Sequence, residues 1–120
     1  MSSRDWFFRI EDILDALGRI NQYIQGIDLD QFKSDQRTID AVVRNLEIIG
    51  EATRHIPEPI IQNHHQIPWK YMMGMRNLLI HEYFGVNVEI LWQTVKHDLP
   101  PLKHHLGEII QDKQSKEQLI

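Results

Sequence analysis

The 120-residue chain is long enough for one domain with an apolar core and too short for two. Its composition, 42% hydrophobic and 25% charged, is that of an ordinary soluble protein, and the lack of cysteine excludes disulfides and thiolate metal sites. A formal charge of −4 excludes a general basic field for nucleic acid, so RNA binding would require a local cationic pocket.

The sequence predicts a cytoplasmic protein with no membrane segment. No apolar run approaches the ~18–20 residues that a membrane-spanning helix needs. The opening stretch, MSSRDWFFRIEDILDAL, carries acidic residues early and has no continuous apolar block, which is unlike a secretory signal.

Apolar side chains spaced by three and four residues predict a first helix, which Ser2 or Ser3 could cap and Gly26 could end. Its apolar stripe comprises Trp6, Phe7, Ile10, Ile13, Leu14, Leu17, Ile20 and Ile24. The connection that follows, LDQFKSD, has room for one helical turn.

The second long helix is predicted to open at Ser34 or Asp35 and to end before Pro57 and Pro59. Its apolar stripe comprises Ile39, Val42, Val43, Leu46, Ile49, Thr53 and Ile56. The next segment, PEPIIQNHHQIP, is predicted to be a loop or a short helix.

The third helix is predicted to begin near Pro68–Trp69 and to run to about His81, and the fourth to begin around Val88. The stripe of the fourth comprises Leu91, Trp92, Val95, Leu99, Leu102, Leu106, Ile109 and Ile110. Because this stripe keeps its phase across Pro100 and Pro101, we expect a kink or a brief break there and no domain boundary.

These four segments predict an all-α, up-and-down bundle of four to five helices, since no segment shows the alternation of a strand. We expect a single domain over residues 1–120, with a polar, fraying tail from about residue 111.

The stretch MRNLLIHEYFG, Met75 to Gly85, places Arg76, His81 and Tyr83 in an otherwise apolar helix. Arg76 and Tyr83 share a stripe, whereas Arg76 and His81 diverge by ~140° on an ideal helix. A second copy of the helix, or a distortion near His81, would be needed to bring the two together. The structural alternative is an arginine that snorkels past core residues and a histidine that favours the negative end of the helix dipole.

This stretch resembles the Arg-x4-His-x-Tyr signature of the HepT-like toxins, a branch of the HEPN superfamily, in the segment RNLLIHEY. The surroundings are similar too: RNLEIIGEA upstream, IPWKYMMGMRN leading into the motif, YFGVNVEILWQTV after it, and then LPPLK. The resemblance covers the chain from about Asp5 to Ile110, and no motif position departs from the pattern.

The resemblance implies a HEPN bundle that forms a homodimer with the motif at the interface, and a metal-independent endoribonuclease without a cofactor. It places Arg76 and His81 in the catalytic positions, with Asn77 as the supporting polar residue. It also implies the toxin of a type VII-like toxin–antitoxin system. The partner would be an MntA-type nucleotidyltransferase antitoxin that uses ATP to transfer AMP to Tyr83. The alternative function is a non-catalytic HEPN module that binds nucleotide or RNA, or docks a nucleotidyltransferase.

These residue types suit cleavage of RNA by its own 2′-hydroxyl. Histidine, with an ordinary pKa near ~6.5, acts as acid or base around neutral pH, and arginine can hold a phosphate in two places. Two-fold symmetry would supply two copies of each group to one cleft. Tyr83 is a poor candidate for the nucleophile of cleavage, because the ordinary pKa of a phenol is near ~10 and no base adjoins it in sequence. It suits the role of a modification acceptor better.

Two further groups of residues leave alternatives open. Successive steps of seven along the second helix connect Arg37, Arg44 and Glu51, and they indicate either intrahelical ion pairs on a solvated face or, for Arg44 and Glu51, one wall of an RNA cleft. The adjacent histidine pairs His64–His65 and His104–His105 lack the geometry of a ligand set, so no metal site is predicted.

Overall fold

The computed structural model is all-α throughout the part of the chain that it describes, which is the backbone of residues 3–81 and 87–118 and the side chains of residues 5–75 and 87–113. The elements are α1 (Ser3–Ile24), α2 (Leu29–Lys33), α3 (Gln36–Arg54), α4 (Glu58–Asn63), α5 (Trp69–His81), α6 (Val88–Gln93), a π-helical turn (Thr94–Asp98) and α7 (Leu99–Gln118). The predicted all-α class is confirmed. The four predicted long helices correspond to α1, α3, α5 and the continuous segment from α6 to α7.

Local capping sets several of the helix boundaries. Asp35 caps α3, where its carboxylate accepts from the Thr38 amide at 3.2 Å and from the Thr38 hydroxyl at 2.6 Å. Gly26 follows α1 with φ of +79°, a left-handed conformation that glycine adopts at little cost. Asn87 caps α6 by accepting from the amides of the next turn. The predicted ends at Asp35 and Gly26 are confirmed, while the Ser2 cap lies outside the described residues.

The short helices α2 and α4 lie in the two connecting segments where the sequence left room for a helical turn. Asp28 and Gln31 form a capping box that opens α2, with bonds of 2.8 and 2.9 Å. Phe32 of α2 is fully buried, and its ring lies 5.0 Å from that of Trp92 in a tilted arrangement. The five-residue α2 is therefore joined to α6 by this aromatic contact and by the ion pair between Lys33 and Glu89 at 2.7 Å, and it also packs against α3.

Helix α3 occupies the centre of the bundle, since it packs against α1 on one side and α5 on another, while α7 packs against α1. The stripes predicted for the second and fourth helices are buried or half-buried along their whole length, which confirms them. One polar bridge crosses between α1 and α3, where the Arg19 Nε donates to the Asn45 Oδ1 at 2.7 Å. Asn45 is buried, and its amide also donates to the Ala41 carbonyl.

The proline pair is accommodated by a π-helical turn and not by a break. The Leu99 amide donates to the Thr94 carbonyl, five residues back, and α7 begins there. Pro100 and Pro101 have no amide hydrogen, and their rings would clash with carbonyls one α-turn earlier. A wider π-turn relieves that clash, so Val95 and Leu99 remain buried on one continuous stripe.

The polar segment from residue 111, which the sequence predicts to be a fraying tail, continues α7 to Gln118. No glycine or proline follows Gly107, and the segment is rich in lysine, glutamate and glutamine, which are good helix formers. No described helix is both long and apolar enough to cross a membrane.

Candidate functional site

Helix α5, which carries the candidate motif, is anchored at its first residue. Trp69 is only 4% exposed, and its indole N–H donates to the His64 carbonyl at 2.9 Å. The Met72 amide donates to the Pro68 carbonyl, which closes the first turn. Met72 and Met75 are buried in the core next to α3. This buried row fixes the rotation of α5 about its own axis.

A second anchor attaches the other side of α5 to the π-helical turn. The Tyr71 hydroxyl donates to the Asp98 carboxylate at 2.9 Å. Partial burial raises the pKa of the Tyr71 phenol, and the negative charge of Asp98 acts in the same direction, while the Thr94 hydroxyl opposes them. Sequence reasoning missed this contact because its two partners are 27 positions apart and neither belongs to a motif.

The motif residues Arg76, Asn77 and His81 lie in the C-terminal half of α5, and the structure describes their backbone but not their side chains. As positions on a regular helix, Arg76 and His81 are about 140° apart around the axis. Tyr83 lies outside the described residues. The predicted convergence of these groups at a dimer interface therefore stays a prediction.

The exposed face of α3 carries local ion pairs, one of the two alternatives that its sequence left open. Arg44 approaches Glu47 at 3.7 Å, and Glu51 contacts Arg54 and His55, each at 3.3 Å. These pairs are local, with spacings of three and four residues, and contribute little each because they are exposed. The Arg44 side chain is 71% exposed, so its guanidinium also has open access to solvent.

The histidines do not assemble a metal centre in the part of the chain whose side chains are described. No three histidine, aspartate or glutamate side chains converge there. His104 pairs with Glu108 on the same helix at 2.9 Å, and its ring meets that of His105 edge-on. Two groups of one helix turn cannot supply the tetrahedral ligand set of a zinc site.

Comparison with known proteins places the motif in a family. A family model described as "Ribonuclease HepT-like" matches residues 13–109, which include α3 and α5. A protein of Thermococcus cleftensis named "Probable ribonuclease HepT" is 48% identical over 94 residues, covering 78% of this chain and 86% of its own length.

Two other relatives are similar in sequence over a larger share of this chain. A "Putative RNase" of Caldanaerobacter subterraneus is 41% identical over 102 residues, covering 85% of this chain and 91% of its own. A "Putative RNase" of Methanocaldococcus jannaschii is 39% identical over 112 residues, covering 93% of each chain. No solved structure matches. The match of the family model to most of the sequence, together with these relatives, shows that the chain belongs to the HepT-like ribonuclease family.

Proposed function

We propose that this protein is a metal-independent endoribonuclease and the toxin of a two-component, type VII-like toxin–antitoxin system. The observation that carries the proposal is the complete Arg76-x4-His81-x-Tyr83 motif, which lies within the residues matched by the ribonuclease family model. The firm attachment of α5 at Trp69 and Tyr71 supports it, since catalytic groups are best held on rigid elements.

In the proposed reaction, His81 of one protomer removes the proton of the ribose 2′-hydroxyl, which attacks the adjacent phosphorus. The P–O5′ bond breaks, and His81 of the partner protomer returns a proton to the leaving 5′-oxygen. Arg76 stabilises the charge that develops on the phosphoryl oxygens. The products are a 2′,3′-cyclic phosphate and a 5′-hydroxyl. A homodimer accounts for the need for both an acid and a base when each chain supplies one motif histidine.

The experiment uses end-labelled single-stranded RNA, the purified protein and EDTA. We expect cleavage to 2′,3′-cyclic phosphate ends, and His81→Ala should reduce the rate by about 10²- to 10⁴-fold because an acid–base group is lost. The matched control is His97→Ala, since His97 is exposed on the π-helical turn and outside the motif. Circular dichroism melts establish that both variants are folded.

Three results would contradict this proposal in different places. Unchanged cleavage by His81→Ala would remove that histidine from the mechanism. Products with 3′-hydroxyl ends would exclude attack by the 2′-hydroxyl. RNA binding without cleavage would favour the non-catalytic binding module instead.

Silencing is proposed to occur by AMP transfer from ATP to the Tyr83 hydroxyl, catalysed by an MntA-type nucleotidyltransferase antitoxin, with pyrophosphate released. The attached phosphate would bring negative charge close to Arg76, fill the cationic pocket and repel RNA. Tyr83→Phe should escape modification and retain cleavage. Intact-mass measurement after co-expression with the partner tests this directly, and an equal mass gain on Tyr83→Phe would exclude Tyr83 as the acceptor.

Arg44 and Glu51 are proposed to form one side of the RNA cleft. The helix that carries them, α3, packs directly against the motif helix α5, and the guanidinium of Arg44 is largely exposed. Arg44→Gln should weaken RNA binding, whereas Arg37→Gln, at another exposed position of the same helix, should not. Equal effects of the two variants would mean that α3 contributes only general charge.

A further inference from the structure

We propose that Lys70 is an additional phosphate-binding residue, which holds the RNA strand a few nucleotides away from the bond that is cleaved. The inference rests on the proposed ribonuclease function and extends it to a residue outside the motif. Three observations support it. Lys70 lies on the same side of α5 as two motif positions, the surface beside it is open, and its ammonium group forms no ion pair with any described side chain.

Lys70 lies on the same row of α5 as two motif positions. Lys70, Gly74, Asn77 and His81 follow the steps i, i+4, i+7 and i+11, so they lie within about 60° of one another around the helix axis. Along the axis, Lys70 is about 10 Å from Asn77 and about 16 Å from His81. An RNA strand that runs along this row from His81 toward the start of α5 would therefore come within reach of the long side chain of Lys70.

At its Lys70 end, the row faces away from the core. The opposite side of α5 carries the buried side chains of Trp69, Met72 and Met75, while the side chain of Lys70 is exposed. Between Lys70 and Asn77, Gly74 has no side chain, and no described atom lies within 4 Å of the position that a Cβ would take there. The backbone of α5 is therefore open at this point. A sugar–phosphate backbone can therefore approach α5 closely at this point.

The charge of Lys70 is available to a ligand. Several other cations of this acidic protein are already engaged: Lys33 with Glu89 at 2.7 Å, Arg54 with Glu51, and Lys96 over the ring of Trp92. Lys70 forms no ion pair with any described side chain. Because the formal net charge is −4, RNA affinity must come from such local cations.

The test measures binding of a fluorescein-labelled, single-stranded 2′-O-methyl RNA, which has no 2′-hydroxyl to attack and so reports binding without cleavage. Anisotropy titrations over a range of KCl concentrations give the slope of log affinity against log salt. Each phosphate contact on a single strand contributes about 0.7 to the size of that slope. Lys70→Gln should reduce the slope by about 0.7 and weaken binding several-fold at low salt, and Lys70→Arg should restore both.

The matched control is Lys103→Gln, which removes an exposed lysine of α7 and should keep the slope of the original protein. Gly74→Leu should weaken binding because it places a side chain on this row, and a melting temperature at or above that of the original protein would show that the variant is folded. These two variants separate a local contact from general charge and from loss of folding.

Three outcomes decide between the inference and the proposed function. If the original protein cleaves RNA and Lys70→Gln keeps the original salt slope, the inference is overturned and the proposed function stands. If the protein binds RNA without cleaving it and Lys70→Gln reduces the slope by about 0.7, the nuclease proposal fails and the phosphate contact of Lys70 stands without a role in cleavage. If the original protein binds no RNA, both are overturned.

Discussion

Trp69, the first residue of the motif helix, offers a direct measure of how firmly α5 is attached. Trp69→Phe keeps a buried aromatic ring and removes the indole N–H that donates to the His64 carbonyl at 2.9 Å. That carbonyl also accepts from the Ile67 amide at 3.1 Å, so the variant loses one bond without leaving an orphaned acceptor. The cost of the lost bond is therefore about 0.5–1.5 kcal/mol.

The smaller ring adds a packing cost. Losing about 40 Å² of buried apolar surface costs about 1 kcal/mol, so the free energy of unfolding should fall by about 1.5–2.5 kcal/mol in total. For a chain of 120 residues, the entropy of unfolding is about 0.25 kcal/mol/K, so the melting temperature should fall by about 6–10 °C.

The assay is thermal unfolding followed by circular dichroism at 222 nm, with Trp92→Phe as the matched control. Trp92 is half-buried, and its indole N–H donates to no described group. The same chemical change there should lower the melting temperature by less than half as much. Equal losses in the two variants would show that the bond to His64 contributes nothing measurable and would refute the argument.

Other predictions concern the remaining helices. Gly26→Ala should destabilise the protein by about 1–2 kcal/mol because its φ is +79°, whereas Gly18→Ala, inside α1 with no described atom near the new Cβ, should stabilise it by up to about 1 kcal/mol, so melts that move in the same direction would contradict the assignment. Hydrogen bonds from Thr38 lower the pKa of Asp35, so the capping contact stabilises the fold above the ordinary aspartate pKa near ~3.9 and is lost as the pH falls through the lower folded value. Urea melts should accordingly show that the deficit of Asp35→Ala shrinks below about pH 3.9, and a constant deficit would count against it. Asn45→Leu should cost about 1–3 kcal/mol because it leaves the half-buried Arg19 without its acceptor, and a cycle with Arg19→Met in urea should be non-additive.

Much of the fold and the identity of the motif could be predicted from the sequence. The apolar stripes, the cap at Asp35 and the glycine after α1 depend on residues that are neighbours along the chain, so their effects can be assessed without knowing the tertiary structure. Arg76, His81 and Tyr83 were identified by the resemblance of their stretch to the HepT-like signature, since their spacing alone left a structural role open. That spacing also showed that one helix alone does not bring Arg76 and His81 together.

By itself, the sequence determined the helix class, the apolar faces and the chemistry available on α5. Only the tertiary structure decided which polar groups meet across the bundle: Arg19 with Asn45 and Tyr71 with Asp98, separated by 26 and 27 positions. It also decided that a π-helical turn precedes Pro100 and Pro101 and keeps the apolar stripe continuous. The physical reason is that periodicity specifies which face of a helix is buried, but the partner of a side chain depends on how the helices pack in three dimensions.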